Sequence, residues 1–200
     1  TLALPLPPRS NETRRRQVAG LVLEESRVAR VNAVLSRIDP NAPHISADQV
    51  VTLARWLQDL PHERATAVLS ERLARAEHLR RMLNDSDWEV CTDTRERARM
   101  LISYLQQVDD LIPDTEPLLG HLDDALLVEL AWPAFADETL DYGDFCRFRA
   151  DERPRGTPRE RRLAWETACL AEVALLQQRR QVRARHYIGG EPLQALFRVG

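Results

Sequence analysis

Apolar residues recur along this chain at steps of three and four, the spacing that lines one face of an α-helix. Leu21, Val28, Val31, Leu35 and Ile38 follow it first, predicting a helix from about Asn11 to Ile38. Asp39-Pro40-Asn41-Ala42-Pro43 reads as a loop. Ser46 with Gln49 three residues on is a capping-box pattern. It opens a second helix carrying Val50, Leu53, Ala54 and Leu57, which Pro61 ends or restarts. Ala65, Val68, Leu69, Leu73, Ala76, Leu79 and Leu83 form a continuous stripe on a third helix, followed by an Asn84–Asp87 turn. Thr92 or Asp93 is the expected cap of a fourth, with Met100, Leu101, Tyr104 and Leu105 inward. A fifth, about Leu122 to Trp132, meets Pro133, which cannot donate to a helical ladder. Residues 137–151 form a short sixth helix carrying Leu140, Phe145 and Phe148. After an Arg153–Gly156 loop, Thr157-Pro158-Arg159-Glu160 opens a last, long helix: Thr as N-cap, Pro in the first turn, Glu at the third position. It runs to about Tyr187, where Gly189-Gly190 stops it.

No segment alternates with period two. The expected fold is all-α, one bundle-like domain over residues 1–200 with about seven helices, the first and last of them long. Residues 1–9, with Pro5, Pro7 and Pro8, are an extended Pro-rich lead-in. The long first and last helices offer a self-associating face and so a route to a homo-oligomer. Apolar stripes of this width are, however, usually filled within one chain.

Composition narrows the chemistry. The 200 residues include 44% hydrophobic and 30% charged residues, a globular balance. All 28 basic residues are Arg. With no lysine, a P-loop lysine, a Schiff-base lysine and a kinase-type ATP lysine are all excluded. Cys91, Cys146 and Cys169 are widely spaced, with no C-x-x-C, so neither a zinc knuckle nor a disulfide framework is expected. That pattern suits a reducing cytoplasm. The N-terminal apolar run is too short for a signal peptide, and no apolar stretch is long enough to span a membrane.

The formal net charge is −3, which gives no overall drive toward nucleic acid or an anionic membrane. Its distribution is uneven. Residues 101–152 hold 13 acids and 2 Arg, whereas residues 153–200 hold 10 Arg and 4 acids. Between Asp109 and Asp144 there is no Arg at all. The acidic middle predicts compensation by Arg159, Arg162, Arg179 and Arg183 of the last helix.

That acidic middle contains Asp110-Leu111-Ile112-Pro113-Asp114, then Pro117, Leu119-Gly120-His121-Leu122-Asp123-Asp124. The segment resembles the signature of the YkvA-like (DUF1232) family, roughly D-L-I-P-D-x-x-P-x-L-G-x-L-D-D. Tyr104-Leu105 matches the preceding helix, so the resemblance covers about residues 98–135. The chain departs from the pattern at Gln107-Val108-Asp109, where Ser-Pro-Ile is usual, and at the polar Thr115 and Glu116. The resemblance implies a helical bacterial domain without an established biochemical activity.

Two readings of the motif follow from its residues. In the first it is a structural corner of Asp110, Pro113, Asp114, Pro117, Gly120, Leu122, Asp123 and Asp124. The two prolines hold their predecessors extended, Gly120 permits the bend, and Asp123 and Asp124 cap the next helix and complement its dipole. In the second, Asp110, Asp114, His121, Asp123 and Asp124 converge as oxygen-rich ligands for Mg²⁺, Mn²⁺ or Ca²⁺, in a metal-binding protein or metal-dependent hydrolase. No H-E-x-x-H or EF-hand spacing supports that set. A third use of the loop, peripheral membrane contact, is opposed by Thr115 and Glu116.

Elsewhere, His62-Glu63 lacks a second His four residues on. Arg179, Arg180, Arg183 and Arg185 suit a solvated helix C-terminus better than phosphates. Trp56, Trp88, Trp132 and Trp165 read as core or edge-of-core residues. No G-x-S-x-G, Ser/His/Asp grouping or glycine-rich phosphate loop occurs. The sequence therefore predicts a cytoplasmic, non-enzymatic interaction or regulatory protein without a cofactor. Its expected partner is another protein, not nucleic acid.

Overall fold

In a computed structural model, residues 4–5, 17–18, 21–107, 111–113 and 116–188 are described. Seven α-helices account for most of them: α1 (Glu25–Ile38), α2 (Ala47–Asp59), α3 (His62–Asn84), α4 (Thr92–Tyr104), α5 (Leu122–Ala131), α6 (Ala136–Glu152) and α7 (Pro158–Ile188). The all-α expectation holds. Among the described residues the one exception is a minimal hairpin, β1 (Gln17–Val18) against β2 (Leu21–Val22), antiparallel with Gln17 opposite Val22. By contact the chain divides into two compact units, Thr1–Gly143 and Asp144–Gly200.

The first helix is shorter than its periodicity suggested. It starts at Glu25, not near Asn11, so it is not one of the long helices. Val18, Val22 and Gly20 are poor helix formers, and β-branched residues around a short connection favour pairing over a helical turn. Of the Pro-rich lead-in, only Leu4, which is buried, and Pro5 lie among the described residues. The Gly189-Gly190 stop lies outside them.

Local chemistry sets the other boundaries. Ser46 Oγ accepts the Gln49 N–H at 3.3 Å, and Gln49 Oε1 accepts the Ser46 N–H at 3.0 Å, closing the capping box that starts α2. Asn32 of α1 ties down the approach to it, donating to the Ile45 carbonyl at 2.8 Å and accepting the Ile45 N–H at 2.7 Å. At α4 the cap is Cys91, not Thr92 or Asp93. At α5, Pro133 converts the helix into a single 3₁₀ turn, Trp132–Ala134.

The core of the first unit is centred on α5. Leu122, Ala125, Leu126, Leu127, Val128 and Ala131 are all fully buried, and Asp123 and Asp124 nearly so, leaving Glu129 as the half-buried residue of the helix. It packs against α1, α3 and α4. Those helices contribute Val31, Leu35 and Ile38, then Ala65 and Leu79, then Ala98, Leu101 and Tyr104. Met100 and Leu105, expected inward, are only half-buried, and Leu140 is exposed. Among the tryptophans, Trp88 is buried with its Nε1–H donated to Glu138 Oε1 at 2.8 Å. Trp132 lies under the Arg75 guanidinium. In the second unit, Phe145 of α6 meets Trp165 of α7 edge-on. Thr157 and Glu160 close the predicted capping box at the start of α7.

Candidate functional site: the acidic corner before α5

The segment entering α5 is held by a series of short backbone bonds. Glu116 N–H reaches the Pro113 carbonyl at 2.9 Å, Gly120 N–H the Glu116 carbonyl at 3.0 Å, and Leu122 N–H the Leu119 carbonyl at 2.9 Å. Leu111, Ile112, Leu119 and Leu122 are buried beneath these turns. Among the described residues of the corner the left-handed one is Leu118, φ 66°, and not Gly120, where the sequence places the bend. A non-glycine residue there is uncommon. The turn bonds on both sides and the buried Leu119 hold it in place.

Asp123 is the organising side chain. It stands in the first turn of α5, is 1% exposed, and its Oδ2 accepts the backbone N–H of Leu111 at 2.9 Å and of Ile112 at 3.2 Å. The sequence reading gave this carboxylate to the orphan N–H groups of its own helix. It instead crosses to the first half of the motif and ties the two halves together. The N-cap of α5 is His121, with no side-chain cap. Asp124, also buried, has Oδ2 3.7 Å from Nδ1 of the exposed His121, a pair that is ionic only when the imidazole is protonated.

Of the residues proposed for the corner, Pro113, Pro117, Gly120, Leu122, Asp123 and Asp124 are thus placed, whereas Asp110 and Asp114 lie outside the described residues. The proposed metal set loses Asp110 and Asp114 from view in the same way. Of its described members, Asp123 has one oxygen spent on two backbone donors. Among the described residues, no three His, Cys, Asp or Glu side chains are grouped to hold a metal ion, and no helix is long and apolar enough to cross a membrane.

One acid of the block, Glu129, is compensated from α3. Glu129 Oε2 meets Arg75 Nη1 at 2.9 Å and Arg72 Nε at 3.1 Å. Arg72 is fully buried, with Nη1 also donating to the Val68 carbonyl one helical turn back. Within the second unit, Arg162 pairs with Glu166 inside α7, and Asp144 pairs with Arg147 inside α6. Arg72 escaped notice because it occupies the apolar stripe of α3, where a charge is expected only if it is paired.

One further group has altered chemistry. Cys91 is exposed at the N-terminus of α4. Its Sγ lies 3.2 Å from the Thr94 hydroxyl and accepts the Thr94 N–H at 3.5 Å. These hydrogen bonds, the hydroxyl's first, hold its thiol below the ordinary range, outweighing the opposing desolvation and the Glu138 and Asp93 charges. Comparison of the chain with protein-family models, curated proteins and solved structures finds no match in any of the three.

Proposed function

We propose that this chain is a cytoplasmic, non-enzymatic protein that works by binding another protein. In this reading residues 98–135 are a YkvA-like helix–loop–helix corner that serves as its rigid element. The use made of Asp123 carries the reading. A catalytic or ligating carboxylate keeps its charged oxygens open toward a ligand. The Asp123 carboxylate is instead withdrawn from solvent and accepts two backbone N–H groups of its own motif. Among the described residues of the corner, Pro117 and His121 are exposed and offer the surface that a partner would meet.

Two measurements on the full chain test this. Calorimetric titration with Mg²⁺, Mn²⁺ and Ca²⁺ should show no stoichiometric binding. A photo-cross-linking residue at Pro117, in cells of the native host, should yield a discrete adduct that the same group at Glu89 does not. Tight, stoichiometric binding of a divalent cation, abolished by Asp114→Ala or Asp124→Ala, would overturn the reading in favour of a metal site.

A further inference from the structure

Two hollows flank α4 in the first unit, and among their described lining residues there is no carboxylate. The one toward α3, about 330 Å³, presents Arg80, Asn84, Arg99, Ser103 and Gln106. The one toward α1, about 310 Å³, presents Arg37, Arg99, Ser103 and Gln107. Arg99 and Ser103, one helical turn apart on α4, belong to both and join them into a groove across three helices. Leu83 and Ile102 add apolar wall to the first hollow, Val34 and Met100 to the second. All of the polar lining residues are exposed, so the groove is open to solvent.

Its positive charge is largely unspent. Among the described residues none pairs with Arg37 or Arg99. Arg80 meets Glu77 at 3.5 Å, an exposed pair of the kind that contributes little. The nearest acids in sequence are engaged elsewhere. Asp85 accepts the Asp87 N–H at 2.9 Å and the Tyr142 hydroxyl at 3.0 Å, and Asp39 accepts the Asn41 N–H at 2.9 Å. Glu96, one turn before Arg99, lines neither hollow. Arg37 also suits the C-terminal end of its own helix, but Arg99 stands more than a turn inside α4 and has no such role.

We infer that this groove binds an acidic, extended segment of another protein, with carboxylates at Arg80 and Arg99 and at Arg37 and Arg99. Guanidinium groups pair strongly with carboxylates, and here they come singly from three helices, as charges spaced along a peptide require. A concentrated phosphate dianion fits less well, because the ends of α1 and α3 present the negative pole of their dipoles here. The inference rests on the protein-contact reading and gives the chemistry of one partner, through residues other than the corner's.

Fluorescence anisotropy of the full chain with a labelled decapeptide of alternating glutamate and alanine tests it. The dissociation constant should be on the order of 100 μM at low salt, weakening at physiological salt, and the glutamine–alanine counterpart should not bind. Arg99→Glu should lower affinity about tenfold, because it acts in both hollows, and Arg37→Glu and Arg80→Glu about threefold each. Arg99→Gln should weaken binding less than Arg99→Glu, and both should melt with the native chain. Arg55→Glu, the same charge change at an exposed site on α2 that lines neither hollow, should leave binding intact. No binding at millimolar peptide, or equal losses in Arg55→Glu and Arg99→Glu, overturns the groove. Tighter binding of pyrophosphate or a single-stranded oligonucleotide, lost in Arg99→Glu, overturns the peptide ligand. Either failure leaves the Pro117 cross-link standing, whereas stoichiometric metal binding overturns the corner reading without altering peptide binding.

Discussion

Replacing Asp123 by alanine should loosen the whole entry to α5. The carboxylate accepts two N–H groups, at 2.9 and 3.2 Å, from residues that are themselves 3% and 0% exposed. Each donor stranded in such a place costs about 1–3 kcal/mol. The lost charge in the first turn of α5 adds about 0.3–1 kcal/mol through the helix dipole. Asp123→Ala should therefore destabilise the protein by about 2–7 kcal/mol, a large share of the roughly 5–15 kcal/mol that holds a domain folded. Asp123→Asn keeps an acceptor oxygen but not the charge, and should cost about 1–2 kcal/mol. Urea unfolding followed by circular dichroism measures both, and the alanine variant should melt roughly 10 °C lower. Amide hydrogen exchange localises the effect: the Leu111 and Ile112 amides, protected in the native chain, should exchange quickly in the variant. Chelator should change neither protein. An alanine variant melting within about 2 °C of the native chain, with those amides still protected, would refute the clamp.

The Arg72–Glu129–Arg75 cluster should respond unevenly. Glu129→Ala takes the nearer carboxylate from the buried Arg72, leaving Glu71 at 3.8 Å, and should cost up to about 3–5 kcal/mol. Arg72→Met fills a similar volume and leaves Glu129 paired with Arg75, so it should cost no more than about 1.5 kcal/mol by the same unfolding assay. Because Thr94 lowers the Cys91 thiol, alkylation of Cys91 by iodoacetamide should rise at a lower pH than for an ordinary thiol, and Thr94→Val should move that rise upward. Glu160 accepts the Thr157 N–H and hydroxyl, which hold its carboxyl below the ordinary range. Its stabilisation of the α7 start is therefore complete above the ordinary carboxylate pKa and is lost as pH falls through the lowered folded value. Helicity measured by circular dichroism should fall on acidification more steeply in the native chain than in Glu160→Gln.

What the sequence alone determined is the part of the structure that short-range physics controls. Helical periodicity together with cap chemistry marked out seven helices, although the first begins at Glu25 and not near Asn11. The caps Ser46–Gln49 and Thr157–Glu160 were legible because each is closed by groups three residues apart. The Asp-Pro-Gly segment was recognisable as a corner for the same reason. Tertiary structure decided the rest. Asp123 has N–H groups within its own turn, but folding brings those of Leu111 and Ile112, 12 and 11 residues away, to its carboxylate. Glu129 takes its charge partner from 54 residues away, on a helix whose stripe looked wholly apolar. The left-handed conformation falls on Leu118, whereas the sequence offers Gly120 as the residue suited to it. Periodicity says which face of a helix seeks burial. Only the packed chain decides which charges and backbone donors that burial leaves to be paired across long separations.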